Sequence, residues 1–393
     1  MTGPTMASRP GTKGAPGART PVRRLVALSW AHLLNDGAAN YLPGVLPAVL
    51  VAVDEPVQMA GVLIAALTIG QALQPLTGWV ADRVGGRRMV AAGLLLSSLG
   101  GGLLGVTRNL ALLVVLLLMI GLGSALFHPQ ALAGVRSILQ DRRGLMTSVF
   151  LVGGELGRGI WPTAASLVAT HLGLTYLWIV AVPGLATVAL VVRWAPDLAP
   201  RRRTGAALRW REHRRPLTLL LGYRSIRALT TAALVAFIPI LWHVRGAGLV
   251  TGASVITTIV VAGVAGNLLG GHLADRLGRR PVLVVSSLAT AALIFPVVYL
   301  HGPVVWVAAA VLGPVLFLTA SPSVLIGQDI FPENRSMGSG IALGLANGVG
   351  ALLVLVIGFL VTDADVMPVF WVVATLSVLS AGVALAFPRS LMH

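Results

Sequence analysis

Five ionisable side chains, Asp36, Glu155, Arg158, Arg224 and Arg227, lie inside long apolar stretches of the chain. An ionisable group at the centre of a bilayer costs about 2.5–3.5 kcal/mol, so the five together imply on the order of 12 kcal/mol before compensation. A cost of that size is not tolerated on a lipid face. The five should converge on an interior cavity or on one another.

Asp36 belongs to a polar seam, because His32, Asp36 and Asn40 recur every four residues and share one helical stripe, with Asn35 beside it. A carboxylate half-way along a membrane helix can take up and release a proton. Asp36 is therefore a candidate proton carrier, with His32 one turn away as relay or hydrogen-bond partner. A structural network tying helices together is the open alternative. Arg224 and Arg227 are three apart, with Thr231 continuing their face. Guanidinium stays charged and offers planar forked donors to carboxylate or phosphonate, which makes both arginines candidate binders of an anionic substrate. The alternative is that their stems snorkel, which is easier for Arg224, about two turns from its helix end. Glu155 and Arg158, also three apart, can neutralise one another within their helix. Alternatively, Glu155 can exchange its partner between Arg158 and Arg227 and so couple two fluxes. His128 adjoins Pro129, where a broken helix frees backbone groups for a ligand, although such a histidine can equally be structural. The candidates for substrate binding are thus Arg224, Arg227, Arg158, Asn35 and His128, and those for proton coupling are Asp36, Glu155 and His32.

The chain that must position these groups has 393 residues, 56% of them hydrophobic and 11% charged, with mean hydropathy +0.87. Soluble domains carry about 25% charged residues. Polar surface is too scarce here to cover a soluble particle, so most of the chain must lie in lipid. Cysteine is absent, which removes thiolate catalysis, Cys-ligated zinc and iron–sulfur clusters. Twelve apolar runs, from 25–50 to 367–387, are long enough to span a bilayer. The first, fourth, fifth and seventh carry the polar groups above.

The net charge is +16, and of 29 Arg and Lys, 24 fall in the termini and connections of one side, two on the other side and three inside spans. Short cation-rich loops stay in the cytoplasm. The basic excess is then a topology signal that puts both termini of a multi-pass membrane protein in the cytoplasm, and no nucleic-acid partner is needed. Residues 1–22, rich in Gly, Pro, Ala and Thr, are expected to form a flexible tail. They do not lead a cleavable signal, because the following run is span-length and is interrupted by His32, Asn35 and Asp36.

The chain repeats itself at half its length. Gly78-Trp79-Val80-Ala81-Asp82-Arg83-Val84-Gly85-Gly86-Arg87 recurs 193 residues later as Gly271-His272-Leu273-Ala274-Asp275-Arg276-Leu277-Gly278-Arg279-Arg280, and Gln140-Asp141 is echoed by Gln328-Asp329. Two six-helix halves, 23–195 and 217–393, are expected on either side of a basic linker, 196–216. Parallel halves leave a cavity near the bilayer midplane, where secondary transporters bind substrate. At the helix ends Asp82 and Arg83, and Asp275 and Arg276, could latch neighbouring helices as gates, or merely solvate a loop. Gly153 and Gly157, Gly266 and Gly270, and Gly344 and Gly348 read as close-packing pairs.

The repeated Gly-x-x-x-Asp-Arg-x-Gly-x-Arg loop resembles the signature of the major facilitator superfamily. His32-Leu33-Leu34-Asn35-Asp36 with Leu42-Pro43, Phe127-His128-Pro129, Gly153-Gly154, Arg224-Ser225-x-Arg227 and Gly327-Gln328 resemble its fosmidomycin-resistance-type branch. The resemblance implies an all-α membrane protein of twelve helices in two pseudo-symmetric halves. It further implies a proton-driven exporter of small anionic or polar compounds in a bacterial cytoplasmic membrane. Gly86 stands where that signature has an Arg, and Trp161 precedes Pro162 where an antiporter motif has Gly. Uptake by symport is the alternative direction. A membrane-embedded enzyme is the rival class, but the sequence has no His-Glu-x-x-His, no Gly-x-Ser-x-Gly and no phosphate-binding Gly-x-x-x-x-Gly-Lys motif. The expectation is a monomer without cofactor or metal, whose partners are its small-molecule substrate, protons and the lipid bilayer.

Overall fold

The computed structural model describes residues 19–74, 76–77, 80, 86–138, 143–196, 210–332, 338, 341–363 and 365–392. Among these residues the regular structure is helical, with no strand. The first half contains α1 (Arg19–Asn40), α2 (Leu42–Ala52), α3 (Met59–Gln71), α4 (Gly86–Leu103), α5 (Leu110–Ile138), α6 (Arg143–His171) and α7 (Trp178–Trp194). The second contains α8 (Trp210–Val244), α9 (Leu249–Leu277), α10 (Arg279–Tyr299), α11 (Val304–Phe317), α12 (Ala320–Ile330), α13 (Ala346–Gly358) and α14 (Met367–Leu385). A π-helical turn, Ile341–Leu345, leads into α13.

These helices group into twelve membrane-spanning segments, since α1 continues into α2 and α11 into α12. Among the described residues, seven helical stretches are long and apolar enough to cross a membrane on those two criteria alone. The remaining segments include α1, which carries the polar seam, and the short helices α3 and α13. The α1–α2 break at Tyr41 has a local cause: Pro43 lacks an amide hydrogen and starts a new first turn. Asn40 donates to the Asp36 carbonyl at 2.8 Å and thereby caps the end of α1. Helix also extends past the expected limits, for α1 begins at Arg19 and α8 at Trp210, inside the stretches read as tail and linker.

Within the first half α1 packs on α4, α5, α6 and α7; within the second, α8 packs on α13 and α14, and α9 on α11. The halves meet through α6 against α9, α3 against α13, and α2 against α8 and α9. Arg87, Arg88, Arg279 and Arg280 lie at or beside the starts of α4 and α10, and mark one end of the bundle as basic. At the opposite end one apolar core draws on both halves, joining Leu46, Leu63 and Leu117 to Phe237, Ile256 and Val297. Toward the basic end the core divides. Leu28, Phe127 and Phe150 belong to one cluster, and Tyr223, Phe331 and Phe387 to another. Among the described residues, the two halves share one apolar core at the opposite end and have separate clusters toward the basic end.

Candidate functional site

Six of the candidate residues come together on the inner wall of the first half. Asp36, on α1, is almost wholly buried, and its Oδ1 lies 3.0 Å from His128 Nε2 of α5 and 3.2 Å from the donating Asn35 Nδ2. Its Oδ2 lies 3.4 Å from His32 Nε2 and 3.3 Å from Arg158 Nε of α6. Arg158 also donates from Nη2 to Glu155 Oε1 at 3.2 Å. One guanidinium thus serves two carboxylates. The Arg158 side chain is 41% exposed and that of His128 25%, against 3% for Asp36, so the arginine and His128 face the space between the halves.

Each imidazole is anchored from behind. His32 Nδ1 lies 2.7 Å from the Phe150 carbonyl and His128 Nδ1 2.8 Å from the Ser124 carbonyl, so in both rings Nδ1 carries the donated hydrogen. Their Nε2 atoms approach to 3.2 Å. The His32 ring lies stacked beside Phe150 and Phe127, at centroid distances of 4.1 and 5.9 Å. Ser97 donates to Asn35 Oδ1 at 2.9 Å, which turns the Asn35 amide nitrogen toward Asp36. Gly154 makes room for the cluster, because a side chain there would overlap the His32 ring and Asp36. One nitrogen from each of His32 and His128 and an Asp36 oxygen lie within 4.8 Å of one another, a spacing that a metal ion can bridge. The Arg158 charge on the same carboxylate opposes a divalent cation there.

The two arginines of α8 are placed differently. Arg227 is 2% exposed and donates within its own half, to Thr290 Oγ1 at 3.0 Å, Ser286 Oγ at 3.2 Å and the Leu316 carbonyl at 2.6 Å. Glu155 bonds Arg158, while the bonds of Arg227 tie α8 to α10 and α11. Arg224 donates to the Ala342 carbonyl at 3.1 Å and to Asn347 Oδ1 at 3.3 Å. Asn347 is exposed, so this pair sits at the edge of the second half's inner wall. The Ala342 carbonyl belongs to the π turn, whose widened ladder leaves acceptors free for a side chain.

The model of the Major Facilitator Superfamily matches residues 28–351 and 219–391. The chain belongs to that superfamily. It is 26% identical over 377 residues to the fosmidomycin resistance protein of Escherichia coli K12, covering 92% of each chain. It is 28% identical over 375 residues to the MFS-type transporter YfnC of Bacillus subtilis 168, covering 90% of each. Among solved structures, a point mutant of the nucleoside transporter NupG superposes with a TM-score of 0.77 at 16% identity, covering 94% of this chain and 100% of that one. A bacterial homologue of the lysosomal transporter Spinster, in an inward-facing and occupied conformation, does so with the same score, covering 97% and 99%. The family and its structural neighbours are transporters, and this protein is a membrane-spanning member of the superfamily.

In this facilitator the sequence-based site residues separate into three groups. Asp36, His32, Asn35, His128, Glu155 and Arg158 form the cluster; Arg224 and Arg227 stand apart in the other half. Of the gating candidates, Asp275 and Arg276 are exposed in the last turn of α9, and Asp82 and Arg83 lie outside the described residues. Arg279, three residues on, makes the ion pair with Asp329, and it also bonds the Leu391 carbonyl. Gly153 and Gly157 face the Ser29 and Leu33 carbonyls of α1, and Gly266 and Gly270 face Pro314 and Leu318, as packing pairs do. Gly344 is different. It belongs to the π turn and meets no neighbour. Sequence reasoning missed Ser97, Phe150 and Ser124, which shape the cluster through a hydroxyl, a ring face and carbonyls; nothing in their residue types signals such roles.

Proposed function

We propose that this transporter exports a small anionic or zwitterionic compound across the bacterial cytoplasmic membrane in exchange for protons, by alternating access, with its basic end in the cytoplasm. The reading is carried by one observation: a buried carboxylate, Asp36, is shared between two imidazoles and the Arg158 guanidinium that faces the space between the halves. A proton taken up by this cluster and a positive group on a substrate would compete for Asp36, and competition for one site is what exchange requires. A zwitterion suits both walls, its cationic group at Asp36 and its carboxylate or phosphonate at Arg224.

A second reading, uptake of an organic anion together with a proton, is favoured by the double pairing of Arg158. An anion that draws Arg158 away would leave Asp36 needing a proton, so the two would bind together. Purified protein in liposomes with a pH-sensitive dye inside separates these readings. The screen uses phosphonates, carboxylates and amino-acid-like compounds under an imposed proton gradient. Exchange predicts substrate and proton flux in opposite directions, lost in Asp36→Asn; parallel flux selects uptake, and no proton flux with any compound overturns proton coupling.

A further inference from the structure

We propose that the proton of the coupling cycle is held between Nε2 of His32 and Nε2 of His128, while Asp36 stays ionised as its counter-ion. The proposal rests on the proton-coupled reading above for the use of that proton, and on local geometry for its position.

Both rings give their Nδ1 hydrogen to a backbone carbonyl, of Phe150 and of Ser124. In a neutral imidazole the other nitrogen then bears a lone pair. Two such lone pairs meet at 3.2 Å, beside an anionic carboxylate. That arrangement is repulsive when empty and is satisfied by one added proton, which turns the facing pair into donor and acceptor. Two groups that carry hydrogens in every state, Asn35 Nδ2 and Arg158 Nε, point at the two carboxylate oxygens, and the added proton gives the anion a further donor in an imidazole Nε2. Placing the proton on Asp36 instead would remove the negative charge that Asn35 Nδ2 and Arg158 are set to meet. The aromatic faces of Phe150 and Phe127 beside His32 suit an imidazolium ring.

The charged group facing the pair from α1 is Asp36, and from α6 it is Arg158, which is itself paired with Glu155. From α4 and α5 the cluster receives the Ser97 hydroxyl and the Ser124 carbonyl. Proton and guanidinium are therefore rivals for one carboxylate. When the histidine pair is charged Arg158 is released toward Glu155 or a substrate anion; when it is empty Arg158 returns to Asp36.

The test is magic-angle-spinning NMR of the full chain in liposomes, uniformly labelled with 15N-histidine, across a pH series, paired with infrared difference spectra. The expected result is one proton correlated with the Nε2 atoms of two rings, lost in His128→Gln, with no carboxylic-acid band that Asp36→Asn removes. A protonated carboxylic-acid band that disappears in Asp36→Asn would overturn the proposal. So would two rings that titrate independently, or a zinc ion retained through chelator treatment with no shared proton. The wild-type spectra decide even if a variant fails to fold. If no substrate moves protons in the liposome assay, the transport reading fails while the proton's position is still read.

Discussion

Arg158 is the residue on which the charge arithmetic turns, since it stands between Asp36 and Glu155 with too little charge for both. A hydrogen bond to a charged group is worth about 1.5–3 kcal/mol, so Arg158→Gln should weaken substrate binding about 10- to 100-fold, measured by radiolabelled substrate binding in detergent. The α8 arginines should part company. Arg224→Met should lose about 10- to 100-fold in the same assay, and it should also lower the unfolding midpoint, because the buried Ala342 carbonyl loses its donor. Arg227→Met leaves the Leu316 carbonyl without its donor, a cost of about 1–3 kcal/mol that should appear as a lower unfolding midpoint, with substrate affinity retained. The spacing of Arg224 and Arg227 made them look like one fork. Their partners lie on different helices, and periodicity carries no information about which neighbour a face meets.

The helices that hold the cluster approach closely only because their contact residues are small. Gly157 faces the Leu33 carbonyl and Gly154 faces the His32 ring, so α6 lies directly on α1. These two glycines should fail in different ways. Gly157→Val has backbone to displace, and it should lower the yield of folded, monodisperse protein on size-exclusion chromatography. Gly154→Ala presses on a side chain instead. It should leave the fold intact and shift His32 from His128, reducing substrate-driven proton flux in liposomes about 5- to 150-fold, the equivalent of the 1–3 kcal/mol typical of overpacking. The Gly-x-x-x-Gly spacing at 153–157 announced this contact in the sequence, whereas Gly344 has the same spacing to Gly348 and serves a π turn instead. The motif states that helices can approach, not that they do.

Across the whole molecule the halves are joined at the end away from the basic loops. There the Val57 amide donates to Asp363 at 3.1 Å across the interface, and a cavity of about 300 Å³ is lined by Glu55, His243 and Asp363. At mid-depth Thr257 reaches both Thr163 and the Gly159 carbonyl of α6. Asp363→Ala removes a bond between the halves worth about 0.5–1.5 kcal/mol. Labelling of a cysteine introduced at buried Leu50 by a membrane-impermeant maleimide should then quicken about 2- to 12-fold. The chain has no cysteine of its own to obscure the signal.

The amino-acid sequence by itself determined the solvent, the helical class and the two-fold division. Apolar runs of fixed length admit few alternatives in lipid, and the repeated Asp-Arg loops recur at half the chain. It also determined that Asp36, Glu155 and Arg158 need partners, because isolated charges are not tolerated in lipid. Only the tertiary structure decided which partners those are. His128 and Arg158 reach Asp36 from α5 and α6, while Arg227 turns into its own half. It alone decided where the two halves share one core, because that depends on how two finished halves lean on one another. Such leaning exchanges one apolar contact for another of similar kind, and no stretch of sequence encodes the balance.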